Sequence, residues 1–246
     1  MSEENNYIDH IIKLLNRIKE SQNENIIEAA NLIAKAFIEG NSIFVFGCSH
    51  AGILSEEMFY RTGGFALINP IFNPSLMLNT RPITLTSKVE RLEGFGSIIL
   101  DESPIKRGDV LILHSVSGRN PVIVDVALKA KENSISTIAI TNLEYSQKVL
   151  SRHSSGKKLY EIADIVIDNC GEYEDAAIKL DGMEQKIGPT STIAATAIGH
   201  SMIIEVSKIL LNNDIIPPIY HSANIDGGDD FNKKIMDKYG DRIHYI

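Results

Sequence analysis

The stretch His114-Ser115-Val116-Ser117-Gly118-Arg119-Asn120-Pro121 constrains this chain more than any other. It follows Asp109-Val110-Leu111-Ile112-Leu113, which reads as a buried strand. It leads into Val122–Ala130, which reads as a helix. Asn120 suits the N-cap, and Pro121 suits the first helical position, where a missing N–H costs nothing. Two serines and a glycine therefore sit on a short strand-to-helix turn. Such a turn presents backbone N–H groups, hydroxyls and the positive end of a helix dipole to one anion. A phosphate site is the leading expectation.

The rest of the chain alternates in the same way. Ile8–Ile18 and Ile26–Phe37 repeat apolar residues at helical spacing, separated by the polar break Ser21–Asn25. Ser42–Phe46 reads as the first strand, Ile53–Arg61 as a helix and Ala66–Ile68 as a short strand. Pro70, Pro74 and Pro82 obscure residues 70–93. Then follow a strand at Val110–Leu113, a helix at Pro121–Glu132, strands at Ile135–Ile140 and Ala163–Ile167, and a long helix at Thr190–Leu211. Alternating strands and helices predict a parallel sheet covered on both faces. One domain spans 1–246: N-terminal helices 7–39, an α/β core 42–211, and a C-terminal appendage 212–246 with a short helix near Phe231–Tyr239.

Composition narrows the function. Lys plus Arg number 24 against 32 Asp plus Glu, a net charge of −8, which argues against a broad nucleic-acid surface. Hydrophobic residues at 43% are enough for a large core. No apolar run reads as a membrane span, and Met1–Asn6 has no features of a secretory leader. Cys48 and Cys170 match no metal spacing or disulfide framework and read as reduced thiols in a cytoplasmic protein. No metal is expected.

A second small-residue turn, Gly47-Cys48-Ser49-His50-Ala51-Gly52, follows the first strand. In an open parallel sheet both turns lie on the carboxyl edge, where ligands bind. Neither matches a dinucleotide or NTPase loop, so a small phosphorylated molecule fits better than a nucleotide. Thr192, Thr196 and His200 recur every four residues on the last long helix. That stripe either faces a ligand, with His200 as acid or base, or is a satisfied core histidine with threonines bonding their own backbone. Glu56 and Glu57 start the helix after the first turn, while Glu90 and Glu93 lie in the irregular region. Most glutamates at such positions are simply solvated. His221 reads as a surface-loop histidine, and Asp226-Gly227-Gly228-Asp229-Asp230 as a turn rather than a calcium loop.

Residues Val110–Asn142 resemble the core of SIS (sugar isomerase) domains. The likeness rests on Ser115-Val116-Ser117-Gly118-Arg119-Asn120, then Ala130-Lys131, then Ile138-Ala139-Ile140-Thr141-Asn142, with Ile162-Ala163-Asp164-Ile165-Val166 as the next element. It runs from about Ile26 to Leu211, and Ser222–Asp229 makes the whole chain similar to the bacterial UPF0309 group of SIS proteins. The resemblance implies a three-layer αβα sandwich on a five-stranded parallel sheet, and a phosphosugar ligand. It implies that Ser49, Ser115, Ser117 and Asn120 hold the phosphate of that ligand, and His50 and Gly118 in the turns and Thr192 on the last-helix stripe are expected as further ligand contacts. Asn120 stands where the family has Thr. Phosphoheptose isomerases of the family use a Glu on the first core helix and a His on the last. His200 matches the latter, Tyr60 occupies the aligned Glu position, and Glu57 lies one turn away. Related N-acetylmuramate phosphate etherases also use glutamates near the first turn.

The expectation is an isomerase or lyase acting on a sugar or amino-sugar phosphate, with Glu57 and His200 as the acid–base pair and no cofactor. The alternative is a non-catalytic phosphosugar sensor, which the departure at Tyr60 favours. A homodimer or higher homo-oligomer is expected, with Glu90 or His221 as groups a partner chain could supply. No nucleic-acid or membrane partner is expected.

Overall fold

The computed structural model describes residues 6–246. Helices α1 (Tyr7–Ser21) and α2 (Asn23–Ile38) come first, and the Asn6 side chain caps α1 by accepting from the Ile8 and Asp9 N–H groups. The break between them is Gln22 alone, because Asn23, Glu24 and Asn25 form the first turn of α2.

Five parallel strands follow: β1 (Ile43–Gly47), β2 (Ile68–Pro70), β3 (Val110–His114), β4 (Ser136–Thr141) and β5 (Ile165–Asp168), in the order β2-β1-β3-β4-β5. The short strand expected at Ala66–Ile68 starts two residues later. Its Pro70 lacks a ladder donor and is tolerated because β2 is an edge strand.

Between and after the strands lie α3 (Ile53–Met58), α4 (Thr84–Val89), α5 (Phe95–Asp101), α6 (Pro121–Glu132), α7 (Leu143–Lys148), α8 (Ser191–Asn212) and α9 (Gly228–Tyr239). Pro121 does open α6. Three of these helices, α4, α5 and α7, were not expected from the sequence. Each has only six or seven residues, too few to show a helical period.

Strand side chains alternate between two cores. Ile43, Val45, Val110, Ile112, Ile138 and Ile140 face α1, α2, α3 and α8. Phe44, Phe46, Leu111, Leu113 and Ala139 face α5 and α6. The result is the three-layer αβα sandwich that the resemblance implied, with α1 and α2 ahead of the first strand.

Two expectations are corrected. Helix α8 does have the length and hydropathy of a membrane span. Its apolar side chains Ala194, Ala195, Ile198, Met202, Val206 and Leu210 are instead buried in the first core, which explains why a protein helix needs that composition. The C-terminal segment is not peripheral either. Tyr220, Ile235 and Ile243 are buried in the same core, and the His244 ring stacks on Phe44.

Candidate functional site

Both glycine- and serine-bearing turns lie on the carboxyl edge of adjacent strands. β1 ends at Gly47, whose neighbour across the turn is so close that an added Cβ would stand 2.5 Å from the Ala51 carbonyl oxygen. Ser49 takes a left-handed conformation (φ 51°) and opens a short 3₁₀ turn, Ser49–Gly52, that runs into α3. The Ser49 hydroxyl donates to Glu90 Oε1 at 2.5 Å. His50 is exposed.

The β3 turn is closed by the Gly118 N–H donating to Ser115 Oγ at 3.2 Å. Gly118 has φ 59°, and a Cβ there would press on Leu159 at 3.1 Å, so glycine is required twice over. Ser117 is half-buried, and its hydroxyl has no partner among the described residues. Asn120 occupies the N-cap position, but its side chain does not cap α6. Its Nδ2 donates to Glu90 Oε2 at 2.7 Å, and its Oδ1 accepts from Arg152 Nη1 at 2.9 Å.

Glu90, at the end of α4, therefore bridges the two turns from within the same chain. Beneath the bridge is a cavity of ≈ 20 Å³ lined by Cys48, Ala51, Glu90, His114, Ser115 and Asn120 with Ile123. It is large enough for a water, not for a phosphate.

His114 closes β3 with 1% exposure. Its Nδ1 meets the Ala51 carbonyl at 2.9 Å, and its Nε2 has no partner among the described residues. Burial holds its pKa below the ordinary histidine value. A depressed folded-state pKa stabilises the fold above the unfolded value and loses that contribution as pH falls. Unfolding free energy is thus expected to decline below about pH 6.5. His114→Gln should flatten that acid limb in urea titrations run at several pH values. An unchanged limb would show that His114 is not its source.

A second group lies along α3 and α8. Glu57 Oε1 meets His200 Nε2 at 3.0 Å, and the same carboxylate pairs with the Arg61 guanidinium. The two expected acid–base residues are thus in contact. Burial and Arg61 lower the His200 pKa, which favours the neutral imidazole. The helix expected to reach Arg61 stops at Met58, because Phe59 turns to extended backbone (ψ 154°) and Tyr60 follows with φ 41°. Tyr60 is 61% exposed and packs edge-on against Tyr220. It lines an open surface cavity of ≈ 310 Å³ together with Arg61, Thr62, Asp229, Lys233 and His221.

Thr192 is half-buried on α8, about 12 Å along the axis from His200 at helical rise. Thr196 Oγ1 bonds the Thr192 carbonyl at 2.9 Å, as a backbone-satisfied threonine would. Glu56 is exposed, and Glu93 accepts from the Ser154 N–H at 3.0 Å. His221 stacks on Phe231 at 3.9 Å, and Gly227 (φ 78°) turns the chain into α9. Among the described residues no cluster of three potential metal ligands occurs, and both cysteines are free thiols.

Several site residues escaped the sequence reading. Asp175 holds the start of α8 by accepting from the Thr190 and Ser191 N–H groups and the Ser191 hydroxyl. Arg61 pairs with Glu57, and Arg152 reaches Asn120 across 32 positions. The Asp175 and Arg152 contacts join segments distant in sequence, for which the sequence carries no local signal, whereas Arg61 stands at the i,i+4 helical spacing from Glu57.

The family model for the SIS domain matches residues 6–142. Over 240 residues the chain is 53% identical to a UPF0309 protein from Oceanobacillus iheyensis, covering 98% of each. It is 48% identical to one from Shouchella clausii over the full length of both. Among solved structures, phosphoheptose isomerases from Neisseria gonorrhoeae and Francisella tularensis share the fold. Each superposes with a TM-score of 0.52, at 16% and 15% identity, over 82% of this chain and 95% of theirs.

Proposed function

Because this chain belongs to the SIS-domain family, and within it to the UPF0309 group, we propose that it binds a sugar phosphate at the β1 and β3 turns and isomerises it between aldose and ketose. The phosphosugar reading draws on the implied family ligand, on the phosphoheptose isomerases that share the fold, and on two donor-rich turns at one sheet edge. The reaction rests on one observation, the 3.0 Å contact between Glu57 and His200.

In this reading Glu57 takes the proton from the carbon beside the carbonyl. The electron pair moves toward the carbonyl oxygen, which His200 protonates. Protonated Glu57 then returns its proton to the neighbouring carbon while His200 takes back a proton from the other enediol hydroxyl, so both side chains are restored and no atom is gained or lost. Ser49, His50, Ser115, Ser117, Gly118, Asn120 and Thr192 are the proposed ligand contacts. The reading includes a cytoplasmic homodimer, consistent with Ile8 and Ile12 on α1 and Ile204 and Leu211 on α8, all more than half exposed.

The alternative, a binding module without catalysis, draws on Arg61. Its guanidinium engages the carboxylate that would serve as base. Incubation with aldose and ketose phosphates in deuterated buffer separates the two. An isomerase incorporates deuterium at C2. A sensor binds the sugar phosphate and leaves C2 unlabelled.

A further inference from the structure

Asn120 divides the carboxyl edge into two electrostatically opposite sides. Its Nδ2 faces the Glu90 carboxylate, and its Oδ1 faces the Arg152 guanidinium. The inner side holds a negative charge and a cavity of only ≈ 20 Å³. A phosphate dianion placed there meets like charge at short range.

The outer side is cationic. The Arg152 N–H donates to the Arg119 carbonyl at 3.0 Å, which brings the 150–158 loop against the start of α6. Arg91 follows the bridging Glu90 directly. No carboxylate lies within 4.0 Å of Arg91, Arg119 or Arg152 among the described residues, although the chain carries a net charge of −8. The nearby acids are engaged elsewhere. Glu90 is held by Ser49 and Asn120, Asp125 by His153, and Glu93 by Ser154.

Arg119 adds an independent sign. Its Nε is buried and has no hydrogen-bond partner among the described residues. A buried guanidinium N–H left unpaired is costly, and a bound anion is the natural partner for it. Burial, with the neighbouring Arg119 and Arg91, also holds Arg152 below the ordinary arginine pKa against the opposing pull of Tyr145 and Glu90, which places the three guanidiniums near one another.

We propose that Arg119 and Arg152, at the N-terminus of α6, clamp the phosphate of the ligand on the outer side of Asn120, while the Glu90 side accepts hydroxyl groups of the sugar. This rests on the phosphosugar reading above and deepens it, because it moves the charge of the anion site from the serines to two arginines. Guanidiniums suit that task, since their paired N–H groups match phosphate oxygens. The arrangement selects ligands whose phosphate and hydroxyl groups can straddle Asn120, and it disfavours a second anionic group on the sugar side.

Calorimetric titration with inorganic phosphate and with glucose 6-phosphate tests this in the full chain. Arg152→Gln retains a donor for Asn120 while removing the charge, and Arg119→Met retains the apolar stem. Each is expected to weaken inorganic phosphate binding about tenfold or more, the scale of a lost charged hydrogen bond. Glu90→Gln is expected to tighten it, because the repelling charge goes. Arg152→Lys, which keeps the charge and gives up the fork, should fall between wild type and Arg152→Gln. Thermal unfolding of each variant identifies any that has lost its fold, and the exposed Arg152 series carries the test if Arg119→Met does.

Wild-type affinity for phosphate in Arg152→Gln overturns the clamp, as does no phosphate binding by the wild-type protein. Retained binding of glucose 6-phosphate in both arginine variants overturns the clamp and leaves the phosphosugar reading intact. Loss of inorganic phosphate in the variants, with wild-type affinity for glucose 6-phosphate no better than for inorganic phosphate, supports the clamp and counts against the sugar.

Discussion

Removal of residues 240–246 is expected to lower the unfolding free energy by about 4 kcal/mol or more, far beyond what a surface appendage would contribute. Four successive residues carry that figure. Arg242 donates to the carbonyls of Phe37 and Asn41, and its guanidinium covers the Phe37 ring at 4.8 Å. Ile243 is 2% exposed in the first core, and burying a side chain of that size contributes about 1.5–3 kcal/mol.

The His244 N–H donates to Asn69 Oδ1 at 2.7 Å, and the Tyr245 hydroxyl donates to the Ala66 carbonyl at 2.7 Å. Asn69 is itself 1% exposed and donates to the Arg242 carbonyl at 3.0 Å, so truncation strips partners from buried polar groups at β2. Each such orphan costs about 1–3 kcal/mol, less wherever water can reach it. Urea unfolding of the truncated and full chains measures the difference. A change within about 0.5 kcal/mol would mean that the tail is peripheral after all.

The tail also shows where the sequence was silent. Arg242 reaches Asn41 across 201 positions and Tyr245 reaches Ala66 across 179, distances at which residue patterns carry no register. Acidic and glycine-rich residues at 226–230 made this region look like solvent-facing chain. The strand–turn–helix at 110–132 was legible for the opposite reason. Its information is local, with an unbroken apolar strand, a serine–glycine turn, and a proline at the one helical position that tolerates it.

Asn120 marks the boundary between the two cases. Its backbone position at the start of α6 followed from its neighbours in sequence. Its side-chain partners did not, because Glu90 and Arg152 arrive from segments 30 residues before and 32 after. Likewise, Glu57 and His200 were each visible as polar residues on helices with an apolar face. Their contact across 143 positions depends on α3 and α8 packing together on the same face of the sheet. Glu90 was hidden by residues 70–93, where three prolines and a six-residue helix leave no period to read.

In the isomerase reading, Glu57→Gln should reduce the rate of C2 exchange by about 10²–10⁴, the usual contribution of a positioned general base. The amide keeps the size of the carboxylate and can still accept from His200, so the loss should fall on turnover rather than on binding. An equal rate in the variant would remove Glu57 from the reaction. A matching rise in KM would assign it to ligand contact.

Arg61 gives this prediction a second, pH-dependent arm. The guanidinium lowers the His200 pKa, so removing it raises that pKa. If the neutral imidazole is the active form, activity declines on the acid side as His200 becomes protonated. Arg61→Met should therefore move the acid limb of the exchange rate to higher pH, and His200→Gln should abolish the limb. A purely structural contact between α3 and α8 would change the melting temperature in these variants and leave the shape of the pH profile alone. The direction of the limb therefore separates a working acid–base pair from an ion pair that only ties two helices together.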